Sequence, residues 1–133
     1  MARPDAISRS RHERAGRRAE WLAELWLRLK GYRILARRFR SGHGEIDLVA
    51  ARGMTIAFVE VKARPTRDAA RQAISPTAER RIADAAIIWL GRYRPNHRGD
   101  IRYDLITVVR GLPRHHPDAF RPGTDSRQAG NLF

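Results

Sequence analysis

Apolar residues recur at helical spacing near the start of the chain. Ala15, Ala19, Leu22, Trp26 and Leu29 fall on one face of a helix. Ser10 and Glu13 form a capping box ahead of it, and Gly31 is a stop. The pattern then shortens. Residues 32–40 alternate loosely and predict a strand, and the Ser41-Gly42-His43-Gly44 run predicts a turn. Residues 45–51 and 56–63 predict two further strands joined by a short loop containing Arg52-Gly53, the second ended by Pro65. A short helical piece is expected over residues 68–73. Ser75-Pro76 supplies an N-cap and a proline at the first helical position. That helix is expected to run to about Leu90, with Ile82, Ala86, Trp89 and Leu90 inward and Gly91 closing it. A loop at 92–100 and a last strand at 101–109 complete the order α-β-β-β-α-β.

This pattern gives one domain over residues 1–110, its first nine residues polar and frayed. Residues 111–133 carry three prolines and no apolar period, so a loosely ordered tail is expected there. Cysteine is absent, which excludes disulfides, cysteine-ligated metals and a cysteine nucleophile. No run free of charged residues exceeds seven. A membrane-spanning helix is therefore excluded, and a cytoplasmic protein without membrane partners is expected.

Charge changes the picture. Lys and Arg number 27 against 14 Asp and Glu, a net +13. The natural partner of such a chain is a polyanion, nucleic acid first and an anionic membrane surface second. The excess is uneven: residues 1–40 carry +8, residues 41–63 carry −1 and residues 64–133 carry +6. A small acidic island lies within a basic frame. Carboxylates repel phosphate unless a cation sits between them.

The island lies on the two middle strands. Odd positions of Glu45-Ile46-Asp47-Leu48-Val49 share one face, as do even positions from Ile56 to Lys62. Closing the hairpin with 52–55 as the loop puts Asp47 opposite Glu60 and Glu45 opposite Lys62. Side chains so opposed have Cβ atoms about 4.5–5.5 Å apart. Two carboxylates that close share a proton or a cation, and Mg²⁺ or Mn²⁺ prefers such oxygen ligands. A solvated strand face is the alternative, but like charges directly opposite weaken a hairpin. Lys62 is one of two lysines beside 25 arginines. A compact ammonium suits orienting water or placing a point charge on phosphate.

Asp47 and Glu60-Val61-Lys62 fill the PD-(D/E)xK nuclease pattern. Around them stand Gly16-x-x-Ala-Glu20-x-x-Ala23, Gly31-Tyr-x-Ile-Leu, Gly44-Glu-Ile-Asp-Leu-Val-Ala50, Phe58-Val-Glu-Val-Lys-Ala-Arg64 and Arg102-Tyr-Asp-Leu-Ile106. The chain resembles the YraN-like family of predicted nucleases, itself similar to archaeal Holliday-junction resolvases. The resemblance implies an α/β fold with a restriction-endonuclease-like core, a central mixed sheet flanked by helices. It implies that Asp47, Glu60 and the Val61 carbonyl hold Mg²⁺ or Mn²⁺, that Lys62 positions the attacking water, and that Glu20 completes the catalytic set. At about 100° per residue, Glu20 lies about 60° beyond Ala23, on the flank of the buried stripe; Glu24 projects further outward. The implied activity is endonucleolytic hydrolysis of phosphodiesters in structured or branched DNA. A non-catalytic nucleic-acid-binding protein keeping the fold is the alternative. Pairing into a homodimer stays open.

The remaining candidates have plainer readings. His115-His116 lacks spaced partner ligands and is expected to be solvated, and His43 lies in a turn. Trp21, Trp26 and Trp89 are expected to pack in the core. Asp104 lies on the last strand with no assigned role.

Overall fold

A computed structural model describes residues 4–67 and 74–122, with side chains from residue 16 onward. Helix α1 (Pro4–Leu29) leads into three strands, β1 (Arg33–Ser41), β2 (Gly44–Arg52) and β3 (Thr55–Arg64). Helix α2 (Pro76–Tyr93), strand β4 (Ile101–Val109) and strand β5 (Leu112–His116) follow. The five strands form one sheet in the order β1-β2-β3-β4-β5. Only β3 and β4 are parallel, because α2 crosses between them while tight hairpins join the other neighbours.

Each helix covers one face of the sheet. Ala19, Ala23 and Leu27 of α1 pack on Leu48, Ala50, Ala57, Val59, Ile106 and Val108. The two alanines keep α1 close to the sheet, so the i, i+4 stripe they start is the buried one. Ile82, Ala85, Ala86 and Trp89 of α2 pack on Val49, Ile56 and Phe58 across the opposite face. Phe58 is fully buried, with Trp89 edge-on to it at 5.9 Å between centroids. Cutting it to alanine would cost about 3–5 kcal/mol.

Several boundaries move from those expected. α1 begins at Pro4 rather than Ser10, so residues 4–9 are its first turns and not a frayed end. α2 does start after the Ser75 cap, whose Oγ accepts from the Ala78 amide at 3.2 Å, but it continues through Gly91 to Tyr93. The stretch expected to be a loose tail contains β5, which pairs antiparallel with β4. Arg110 and Gly111 make the turn, both with left-handed φ, 53° and 76°. A hairpin of two residues suits that pair of angles. The usual Asn or Asp signal is missing because Arg110 stands in the first position. Pro113 is tolerated because β5 is an edge strand. Residues 68–73, expected to be helical, and the end of the chain from 123 lie outside the described residues.

The alternation of β2 breaks beside Asp47. Ile46 packs with the α2-side core while Leu48 packs with the α1-side core, although two residues apart on a strand share a face. Across the ladder, Arg38 lies between the pairs Arg37↔Leu48 and Phe39↔Ile46, and its φ is +48°. Both strands are thus irregular at one level of the sheet. Gly44 stands just before this break and has a separate reason to be glycine: a Cβ there would come within 1.9 Å of the Arg81 carbonyl oxygen on α2.

A carboxylate pair where two strands part

The β2–β3 ladder runs from Arg52↔Thr55 to Leu48↔Val59 and stops. The next positions along it are Asp47 and Glu60. The expected opposition of these two acids is therefore present, at the level where the strands separate. The Val61 amide turns from the ladder and donates to Asp47 Oδ2 at 2.7 Å. The Asp47 and Glu60 carboxyls hydrogen-bond to each other. Glu45 and Lys62, expected to face one another, lie beyond the last ladder pair; Glu45 instead lies 3.5 Å from Arg40.

Burial and crowding hold protons on this pair. Asp47 is pushed up first by burial, then by the charges of Glu20 and Glu45, against the opposing pull of the Val61 amide and the Glu60 hydrogen bond. Glu60 is pushed up by burial and by the Asp47 charge and hydrogen bond, and drawn down by Lys62. The pair titrates as a unit, with values near about 6 and about 8. Two carboxylates this close favour holding a proton between them over carrying two negative charges.

Of the remaining candidates, Glu20 and Lys62 lie near enough for their charges to bear on this pair. Glu20 of α1 is gripped by Arg38, Nε to Oε2 at 2.7 Å, and its charge bears on Asp47. Glu24 is turned away, held by Arg28 and Arg37 and kept below the usual carboxylate range chiefly by its Arg37 hydrogen bond. Lys62 follows Glu60 on the same face of β3 and is close enough to stabilise its charge. Val61 contributes the amide contact just described. Among the described residues, no three His, Asp or Glu side chains gather to hold a metal ion by themselves.

Arg38 is a site residue that the sequence reading missed. A left-handed φ on arginine has no local signature, and its grip on Glu20 joins residues 18 apart. A second polar cluster was also missed. Asp104 is fully buried on β4 and accepts from Arg102 at 2.8 and 2.7 Å, from His115 Nε2 at 2.7 Å and from the Asp118 amide at 2.9 Å. Lys30 Nζ lies 2.6 Å from His115 Nδ1, and Arg102 donates to the Tyr32 hydroxyl at 2.6 Å. His115 is therefore not solvated: its side chain is 1% exposed. His116, its neighbour, is exposed, as expected. Trp89 is in the core, but Trp21 is 63% exposed and Trp26 is exposed too, because Ala19, Ala23 and Leu27 occupy the inward face of α1.

A mixed sheet with a helix on each face, and a carboxylate pair at the point where two strands part, defines an α/β protein of the restriction-endonuclease-like class. The profile of the Uncharacterised protein family UPF0102 matches residues 19–108, which include Glu20, Asp47, Glu60 and Lys62. The chain is 56% identical over 111 residues to a UPF0102 protein of Chelativorans sp. (strain BNC1), spanning 84% of this chain and 87% of that one. It is 53% identical over 110 residues to a UPF0102 protein of Parvibaculum lavamentivorans, spanning 82% and 83%. It is 49% identical over 121 residues to one of Mesorhizobium japonicum, spanning 90% and 97%. The chain belongs to UPF0102, the YraN family of predicted nucleases. Among the described residues no helix is long and apolar enough to cross a membrane.

Proposed function

We propose that the protein is a divalent-metal-dependent endonuclease that hydrolyses phosphodiesters in structured or branched DNA. The observation that carries this reading is the Asp47–Glu60 pair: two carboxyls hydrogen-bonded to each other, beside Lys62, in a chain of net charge +13. A purely structural acid would be matched by a cation; burial and mutual charge push both of these upward instead. Their donor set fits a hard cation, since Mg²⁺ and Mn²⁺ take carboxylate and carbonyl oxygens and keep several waters. Asp47, Glu60 and the Val61 carbonyl would hold the ion, with water filling the remaining positions. Such an ion, when bound, polarises a phosphate and makes water a better nucleophile near neutral pH.

The chain's own residues supply the rest. Lys62 orients the attacking water and offsets negative charge developing on the phosphate, which a compact ammonium does well. Glu20, held by Arg38, adds its negative charge to the field at Asp47. The basic frame supplies affinity, and that affinity falls steeply with salt because each neutralised phosphate releases counterions. A second reading, a non-catalytic nucleic-acid-binding protein, is favoured by one observation: no three acidic or histidine side chains converge among the described residues.

Cleavage of a panel separates the two readings. Linear duplex, flap, four-way junction, single strand and RNA are incubated with wild type and Asp47→Ala, each with Mg²⁺ and Mn²⁺. The nuclease reading expects cleavage of a branched substrate that Asp47→Ala abolishes. Binding without cleavage of any substrate would leave the second reading in place.

A further inference from the structure

The α2 side of the sheet is covered unevenly. α2 packs across β1 and β2. Over β4 and β5, among the described residues, no helix lies. Leu105, Thr107 and Val109 alternate onto this face of β4, and β5 brings Leu112, Arg114 and His116 beside them through the pairs Val109↔Leu112, Thr107↔Arg114 and Leu105↔His116. These strands floor a groove of about 980 Å³, walled by the chain just after β3, the start of α2 and Phe120. That volume is at the upper end of the range for ligand pockets, about 300–1,000 Å³.

The groove lies beside the strand that carries Glu60 and Lys62, although neither of them lines it. Glu60 pairs with Leu105 and Lys62 with Thr107 in the parallel β3–β4 ladder. Residues so paired point to the same face of neighbouring strands about 4.8 Å apart. Leu105, Val109 and Leu112 give its floor an apolar strip between Thr107, Arg114 and His116, and Leu112 is 71% exposed. Its charged lining is Arg67, Arg110 and Arg114 against Glu79. A phosphate backbone alone has no use for an apolar strip, and an apolar peptide has none for the arginines. Unpaired nucleotides use both: bases lie against the floor and phosphates meet the cations.

We infer that this groove seats unpaired nucleotides of a nucleic-acid strand next to Lys62, so that the substrate carries a single-stranded segment beside the scissile bond. This rests on the nucleic-acid reading above and adds the form of the substrate.

The test is equilibrium binding by the full chain in EDTA, followed by fluorescence anisotropy. The probes are a labelled oligothymidylate of about twelve nucleotides and a blunt duplex of equal length. Leu112→Asn changes an exposed side chain, and a thermal melt confirms that it folds. The expected result is about fivefold weaker binding of the single strand, with duplex binding changed by less than about twofold. Arg114→Ala should lower the salt slope for the single strand by about one. Equal losses on both probes, or no loss on either, would overturn the groove while leaving nucleic-acid binding intact. Wild type binding neither probe would instead remove the nucleic-acid reading, and the groove with it. A concentration-dependent dimer of wild type in sedimentation, abolished by Leu112→Asn, would reassign the surface to a second copy of the chain and overturn the proposal.

Discussion

Two centres of buried carboxylate lie in the same sheet and behave in opposite ways. Asp104 is fully buried but receives Arg102, His115 and the Asp118 amide. Burial pushes it upward, yet these partners outweigh burial and hold it at about 2. Asp47 and Glu60 keep partial contact with solvent, but the nearest charges are largely other acids, and both are pushed upward. The difference lies in what stands opposite. A carboxylate given its cation by the fold is a structural strut. A pair without one is where we propose that a cation enters from outside. Burial by itself would have ranked them the wrong way round.

The largest expected effect falls on the strut. Asp104→Asn removes the charge that Arg102 and His115 face and should cost about 3–5 kcal/mol in urea unfolding. Asp47→Asn, at a position of the other kind, should leave the metal-free protein as stable as wild type or more so near pH 7. Similar losses in both variants would erase the distinction.

Lys62 sharpens the comparison from the catalytic side. Lys62→Ala should lower cleavage by at least about 100-fold, roughly 2.7 kcal/mol in barrier, with duplex affinity nearly unchanged. One charge among 27 matters little to a diffuse electrostatic attraction. Lys62→Arg should also cleave poorly. Single-turnover rates and anisotropy on the same substrate check both variants, and full activity of Lys62→Arg would reduce Lys62 to a positive charge.

The two centres also respond oppositely to pH. Raised carboxylate values in the folded state stabilise it at low pH, and this contribution is lost as pH rises through about 6 and about 8. In EDTA, wild type should therefore lose about 1–3 kcal/mol between pH 5.5 and 8.5 relative to an Asp47→Asn/Glu60→Gln variant. Asp104 contributes in the other sense: its stabilisation is present above the ordinary aspartate value and lost as pH falls toward about 2. Mn²⁺ should reverse the order at pH 8, because it stabilises the wild-type fold by mass action and the double variant much less. Denaturant melts across pH, with EDTA and with Mn²⁺, measure both trends.

The smallest effect is expected at Arg38. Arg38→Gly relieves a left-handed φ worth about 1 kcal/mol and gives up a partly exposed ion pair worth about as much. Stability should stay within about 1 kcal/mol of wild type. A loss well beyond that would make Arg38 a strut like Arg102 rather than a holder of Glu20.

Much of the site was legible because strands are simple devices. Period-two alternation and a short loop fix the register of a hairpin, so Asp47 and Glu60 could be placed opposite each other from spacing alone. Lys62 followed from the same alternation. The break between Ile46 and Leu48 was not legible, since it depends on two irregular strands meeting at one level. Helix α1 misled for a related reason. Ala19 was read as inward and is buried, but the stripe continues through Ala23 and Leu27 rather than through Leu22, Trp26 and Leu29, of which Trp26 and Leu29 are exposed.

By itself the sequence determined the local elements, the basic excess, the Ser75 cap and the opposition of the two acids, all of which follow from short-range geometry or from counting. Only the tertiary structure decided that β5 joins the sheet, that Arg38 holds Glu20, and that His115 is a buried partner of Asp104. Those outcomes depend on residues far apart in the chain. Lys30 and His115 are separated by 85 positions, and Tyr32 and Arg102 by 70. No periodicity spans such distances; the folding of both helices onto one sheet brings them together.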